Sequence, residues 1–343
     1  MEGVRTSLAG GFARASVAPM RAVRCHELIG PAGLRIDELP DPTPGPGDVL
    51  VDVKAAGVNF PDILVTQGKY QFKPPTPFIP GGEAAGIVRA VGPGVTSVKP
   101  GDRVAVTLIH GAFAEKVVAP EIAVVKMPDN VSFEIGAATL LTYATTIYAL
   151  VDRAALEKGE TLLVLGAAGG VGVAAIELGK LLGARVIAAA STDEKVAFCK
   201  ERGADEGINY TREDLKERVK ALTNGDGANV IYDPVGGPFA EPALRAIAWE
   251  GRYLVIGFAA GDIPKIPLNL TLLKGCQIVG VFWGSFAVRD PAKNRANCER
   301  IFAWIADKKL APHVDAVFPF AKAKDALERV ARREVKGKLV LVP

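Results

Sequence analysis

Between residues 21 and 130 the apolar positions fall in short Val-rich runs, each closed by Gly or Pro. The runs 48–58, 84–92, 101–108 and 112–120 have the length and β-branched content of strands. The segment KPPTPFIPGG (73–82) holds four prolines and predicts a loop, because proline donates no amide to a helix or a central strand. Near residue 133 the period changes. Residues 132–156 have helical apolar spacing. Strands at 161–166, 184–190, 207–210, 229–236 and 251–258 then alternate with helices at 170–182, 193–203, 212–223 and 239–247. Such alternation predicts βαβ units wound into a parallel sheet. An apolar strand at 276–284, a charged helix at 290–309, a strand at 313–320, a helix at 321–333 and a last strand at 337–343 follow.

The fold class is therefore α/β, a β-rich domain joined to a doubly wound parallel sheet. The chain of 343 residues accommodates two domains. We place the first at 21–132, completed by 290–343, and the second at 133–289. Residues 1–20 read as a tail outside the fold. With two arginines and one acid they also resemble a weak organellar transit peptide, the alternative to a cytoplasmic location.

Composition narrows the partners. The 41 basic and 38 acidic residues leave a net charge of +3, which gives no basic surface for nucleic acid or anionic lipid. No apolar run reaches the ~18 residues of a membrane span. Cys25, Cys199, Cys276 and Cys298 lie far apart with no C-x-x-C pair, which points to a reducing compartment rather than a disulfide framework.

The chemistry starts at TLLVLGAAGGVGVAAIELGK (161–180), a strand, a glycine-rich turn and a helix. A dinucleotide fingerprint maps onto Ala167, Ala168, Gly169, Gly170, Val171 and Gly172, with Ala167 in place of the first glycine. Gly169 would face a pyrophosphate and Gly172 would allow close helix–strand packing, while the helix start offers free N–H groups. The next strand selects the nucleotide. An acid at its end would bind the ribose 2′-hydroxyl of NAD. The strand ends instead in Ala188–Ala189–Ala190–Ser191–Thr192, and Asp193 and Glu194 suit the first turn of the following helix. Ser191 and Lys195 supply hydroxyl and cationic donors for a 2′-phosphate, so NADP is favoured.

Several ordered motifs, GVNFPDILVTQGKY, PFIPGGEAAGIVRAVGPGV, GDRVAV, LGAAGGVGVAAIELGKLLGA and YDPVGG, resemble the medium-chain dehydrogenase/reductase superfamily. Within it the chain is similar to the zinc-independent NADPH:quinone oxidoreductases, the zeta-crystallin-like branch. The resemblance implies a GroES-like catalytic domain, a Rossmann domain, and a cleft between them for nicotinamide and substrate. It also implies homo-oligomers, often dimers joined through the Rossmann sheet edge near 276–284.

The zinc-dependent relatives carry a cysteine where this chain has Asn59, and a histidine where it has Gly82, before Glu83. His26, His110, His313 and the scattered cysteines offer no converging ligand set, so no zinc is expected. Without a Lewis acid a simple ketone is a poor acceptor, because its reduction generates a strongly basic alkoxide. Quinones, enones and enals give delocalised anions instead. The expected function is hydride transfer from NADPH to a quinone or similar conjugated carbonyl. Reduction of 2-alkenals or enoyl thioesters is the alternative, with Arg289 and Lys293 as candidates for a thioester's phosphates. A non-catalytic NADPH-binding role is the third.

By resemblance, Asn59 lies beside the nicotinamide ribose, although Asn also forms turns well. Asp62 shares that helix start. Thr145, with Thr142 as its rival, resembles the hydroxyl residue near the nicotinamide. Gly257 and Phe258 bring backbone to the nicotinamide, and Phe282, Trp283 and Gly284 contact its carboxamide through the main chain. Tyr210 packs by the adenosine phosphate, and Arg333 adds a phosphate contact or ends a surface helix. Relatives often carry a tyrosine five residues after the Asn, where this chain has Leu64. Tyr70 and Phe72 are candidates to fill that space.

Overall fold

The computed structural model describes residues 19–343, so the reading of 1–18 as tail or transit peptide lies outside it. Met20 is already buried and opens the first strand. Strands β1 (Met20–Cys25) and β2 (Leu34–Leu39) form an antiparallel pair. Next come β3 (Asp48–Val58), β4 (Glu83–Val91), β5 (Arg103–Thr107), β6 (Lys116–Pro120) and β7 (Val124–Lys126). The middle of the chain supplies β8 (Thr161–Leu165), β9 (Arg185–Ala190), β10 (Glu206–Asn209), β11 (Ala228–Asp233), β12 (Ile247–Val255) and β13 (Gln277–Gly280). The end supplies β14 (Val314–Pro319) and β15 (Lys338–Val342).

β8–β13 build one sheet in the order β10-β9-β8-β11-β12-β13, parallel throughout. This is the doubly wound order whose switch point lies between the first and fourth strands. Both faces are covered by helices, so Leu162, Leu163, Val164 and Leu165 are all fully buried. That is why β8 reads as a continuous apolar run rather than an alternating one. The second sheet runs β14-β15-β3-β4-β5-β7, with β6 on β3. Its inner face is a valine core that includes Val49, Val51, Val53, Val104 and Val106. β15 pairs with β3 from the other end of the chain. The helix Pro291–Ala306 buries Cys298, Ile301 and Phe302 in a core shared by both sheets' layers.

Several elements differ from the sequence reading, among them a short helix at Asn269–Lys274 that it lacked. The strand expected at 276–284 stops at Gly280, and a helix begins at Trp283. Its neighbour β12 ends at Val255, and Val281 N–H to Val255 O (3.0 Å) is the last ladder bond available. β12 itself starts at Ile247 rather than 251, because Ile247 pairs with Ala228. β6 begins at Lys116, not 112. Residues 133–153 are helical but not uniformly so: Leu140–Ala144 and Tyr148–Arg153 form wide π turns around Thr145–Ile147. π turns reorient the side chains they carry and recur at functional sites.

Candidate active site

The C-terminal ends of the parallel strands lie along one edge. After β8 the chain makes a tight turn at Gly166 (φ +57°) and enters the helix Gly170–Leu181 with Gly169 as its N-cap. No side chain caps that helix, so its first N–H groups are left for a ligand. A Cβ on Gly172 would lie 2.6 Å from the carbonyl oxygens of Gly166 and Ala167. Gly172 is thus held side-chain-free by backbone it could not displace. The missing first glycine is explained: the positive φ belongs to Gly166, one position earlier than Ala167. Ala168 is buried, its carbonyl accepting Gly337 N–H at 2.8 Å, and Val171 is half-buried. The turn fits a pyrophosphate by its free donors and its side-chain-free backbone.

At the ends of β9 and β10, four residues from separate segments meet. Lys195 Nζ reaches Ser191 Oγ at 3.5 Å and donates to Arg333 O at 2.6 Å. Tyr210 N–H bonds Ala190 O at 3.1 Å, which sets its phenol beside Ser191. Burial and then the Arg333 guanidinium hold the Lys195 ammonium below its usual range. Burial pushes the Tyr210 phenol up. Arg333 adopts a left-handed φ of +59° and donates to Ala259 O at 2.9 Å. Two cations and two hydroxyls are drawn together here, with Glu194 and Glu334 close enough to favour the Lys195 charge. The donor set fits a phosphate monoester.

Further along the edge, Gly257 and Phe258 follow β12 and run beside Asp233 and Pro234, with Ala259 N–H on Pro234 O at 3.0 Å. Phe282 is exposed, Trp283 donates its indole N–H to Asn294 at 2.8 Å, and Gly284 lies in the helix that starts at 283. Thr145 is half-exposed and donates to Leu141 O at 2.6 Å, whereas its rival Thr142 is buried and donates to Ala138 O at 3.0 Å. Of the two, Thr145 is the more exposed residue.

The opposite wall holds a buried polar cluster. Asn59 caps the helix Phe60–Thr66 in a capping box with Asp62, whose carboxylate accepts Asn59 N–H at 2.7 Å. Asn59 Nδ2 donates to Glu83 Oε1 (3.1 Å) and Gly57 O (3.3 Å). Glu83 Oε2 accepts Leu141 N–H at 2.8 Å. Lys338 brings its ammonium into this group from β15, onto Glu83 Oε1 at 2.5 Å, Val58 O at 3.1 Å and Asn59 Oδ1. Burial, offset in part by Asn59 N–H and the Lys338 charge, raises the Asp62 carboxyl to about 7. Tyr70 is half-buried, its phenol pushed up by burial and by Asp62. Phe72 stacks on His110 with centroids 5.8 Å apart, at the exposed rim of this wall. No local pattern marks Lys338: it is one lysine in a terminal strand, and only the pairing of β15 with β3 delivers it. Asp233 was also missed. It is buried, accepts Val235 and Gly236 N–H, and shapes the turn after β11.

Of the thioester candidates, Lys293 pairs with Asp152 at 2.7 Å and Arg289 Nε donates to Ser285 Oγ at 3.1 Å, both side chains being exposed. Among the described residues no three His, Cys, Asp or Glu side chains converge as a metal site. At positions 59, 82 and 83 stand an amide, no side chain, and a carboxylate already on an ammonium. That donor set does not fit zinc.

A doubly wound parallel sheet with an open pyrophosphate turn, joined to a β sheet built from both ends of the chain, is the architecture of a dinucleotide-dependent oxidoreductase. Comparison with known proteins agrees. Residues 170–301 match the family described as zinc-binding dehydrogenase, and residues 45–129 the alcohol dehydrogenase GroES-like domain. The chain is 41% identical over 324 residues to a quinone oxidoreductase-like protein 2 homolog of Nematostella vectensis, covering 94% of this chain and 88% of that one. It is 36% identical to a quinone oxidoreductase of Pseudomonas aeruginosa, covering 92% and 97%. A mycobacterial structure complexed with NADPH superposes with a TM-score of 0.89 at 33% identity, covering 94% and 100%. The chain belongs to the quinone oxidoreductase branch of the medium-chain dehydrogenase/reductase superfamily and is an oxidoreductase. No helix among the described residues is long and apolar enough to cross a membrane.

Proposed function

We propose that this protein is an NADPH-dependent, zinc-independent reductase that passes hydride to a quinone or a similar conjugated carbonyl. The observation that carries the cofactor choice is the meeting of Ser191, Lys195, Tyr210 and Arg333 in one anion seat. It is supported by the NADPH-bound relative and by the missing acid at the end of β9. When bound, the cofactor supplies the hydride. The chain's residues do the rest. Ala168, Gly169, Gly170, Val171 and Gly172 present backbone to the pyrophosphate. Thr145, Gly257 and Phe258, with the main chain of Phe282, Trp283 and Gly284, orient the nicotinamide. Asn59 fixes the catalytic wall, and Asp62, titrating near neutrality, holds a proton on its carboxyl beside Tyr70. Tyr70 and Phe72 offer aromatic surface where Leu64 leaves none.

The test is a panel of NADPH and NADH oxidation against quinones, enals, enoyl thioesters and simple ketones, with and without chelator. NADPH-dependent quinone reduction that chelator leaves intact is expected. Ketone reduction abolished by chelator overturns the zinc-independent reading, and NADPH binding without turnover of any acceptor overturns the enzyme reading. The same proposal includes a homodimer. Among the described residues β13 is an edge strand of its sheet, and Ile263, Leu272, Leu273, Ile278 and Val288 are exposed in and around it. An uncovered edge with an apolar rim favours pairing with a second copy.

A further inference from the structure

We infer that Lys338 is a positioning residue that ties the cofactor turn to the acceptor side of the cleft. The inference rests on the cofactor seat and the function proposed above. Its neighbour Gly337 donates N–H to Ala168 O in the turn at 2.8 Å. The Lys338 stem crosses the helix start, where a Cβ on Gly170 would lie 3.0 Å from its Cδ. The head then ends among Val58 O, Asn59 Oδ1 and Glu83 Oε1. A lysine has three N–H donors, and all three are used. One residue therefore touches the pyrophosphate turn with its stem and the catalytic wall with its charge.

The ammonium and the carboxylate together decide which way the Asn59 amide points. Its oxygen faces Lys338 and its NH2 faces Glu83. A flipped amide would set NH2 against ammonium and oxygen against carboxylate, losing both bonds. Side-chain exposures of 6% and 1% make the pair a poor source of stability, because buried ion pairs are often matched or beaten by apolar replacements. Orientation of Asn59, rather than folding energy, is what such a pair supplies.

The experiment compares wild type with Lys338→Met, Lys338→Arg, Glu83→Gln and the double variant Lys338→Met/Glu83→Gln. Melting temperature without cofactor, NADPH Kd, emission of the bound nicotinamide, and kcat with a benzoquinone and 4-deuterated NADPH are measured. Lys338→Met is expected to lower kcat about 10- to 100-fold, as for a reacting group misplaced by ~1 Å, and to raise the isotope effect. NADPH Kd should change less than about threefold, since uniform binding is untouched. The double variant should regain the melting temperature but not kcat, and Lys338→Arg should regain part of kcat. Bound nicotinamide emission should differ from wild type in both Lys338→Met proteins. Recovery of kcat together with melting temperature in the double variant overturns the inference, as does wild-type kcat in Lys338→Met. If Lys338→Met does not fold, the double variant, free of both buried charges, decides. If wild type reduces no acceptor, the proposed function fails, and the emission comparison still decides Lys338: unchanged emission overturns its role.

Discussion

Lys195 and Asp62 show how one residue's surroundings set its chemistry. Lys195 sits at a helix start between Ser191 and Arg333, with Glu194, itself paired with Lys336, the nearest acid acting on its charge. A 2′-phosphate there gains charge-assisted bonds that a 2′-hydroxyl does not. Lys195→Ala should raise the NADPH Kd by about 10- to 100-fold, the worth of one such bond, and leave NADH unchanged. Titration of nicotinamide fluorescence with both cofactors checks this; equal losses for the two would count against the seat. Asp62 behaves differently because it is buried beside another acid. Its carboxyl titrates near about 7, against 3.8 in the open chain, with Glu83 opposing its charge and Lys338 favouring it. The folded state thus keeps a proton that the unfolded chain has released. The stability from this group is full below the unfolded value and is lost as pH rises through the folded one. Asp62→Asn should flatten the melting-temperature profile between about pH 4 and 7. Calorimetry across that range reads it, and an unchanged slope would refute the assignment.

At the scale of elements, the turn after β8 was the most legible part of the chain. Its glycines, the apolar strand before it and the helix after it are local features, and local sterics fix them. The detail that changed is which glycine makes the turn. The fingerprint placed the first glycine role at Ala167, but the backbone takes its positive φ at Gly166. Gly172→Ala would drive a Cβ into two carbonyl oxygens at 2.6 Å. Such overpacking against immovable backbone costs about 1–3 kcal/mol. A lower melting temperature together with weakened NADPH binding is the expected outcome, and a neutral variant would show that helix and strand do not pack there as described. The helix expected at 132–156 was legible as helix, but its π turns were not. Apolar spacing of 3.6 and a wide turn differ by one residue in five, and the segment's buried hydrogen bonds, Tyr143 to Glu177 and Thr146 with Tyr232, are long-range contacts that no local spacing marks. The strand 276–284 was overextended because its apolar run continues past the end of its partner.

For the whole molecule, the consequence is an edge. Among the described residues β13 closes the parallel sheet on one side with no strand beyond it, and Ile278, Leu272 and Leu273 are exposed nearby. Sedimentation should find a dimer, and Ile278→Lys with Leu272→Lys should yield a folded monomer that still binds NADPH. A monomeric wild type would remove the edge-pairing proposal without touching the site.

The sequence by itself determined the alternation of strand and helix, the nucleotide turn, the missing acid after β9 and the absence of cysteine and histidine at Asn59 and Gly82. Each is a matter of residue type at a local spacing, which backbone geometry reads directly. Only the tertiary structure decided the rest. Lys338 and Asn59 are separated by 279 positions, Lys195 and Arg333 by 138, and no local pattern marks either pair. The return of β15 beside β3 brings the first pair together. The docking of the Arg333 carbonyl on Lys195 brings the second. Burial then changes the chemistry of what has been gathered: an ordinary carboxyl at Asp62 becomes a proton holder near neutrality. A terminal lysine likewise becomes a fixed, buried charge beside Asn59 and Glu83.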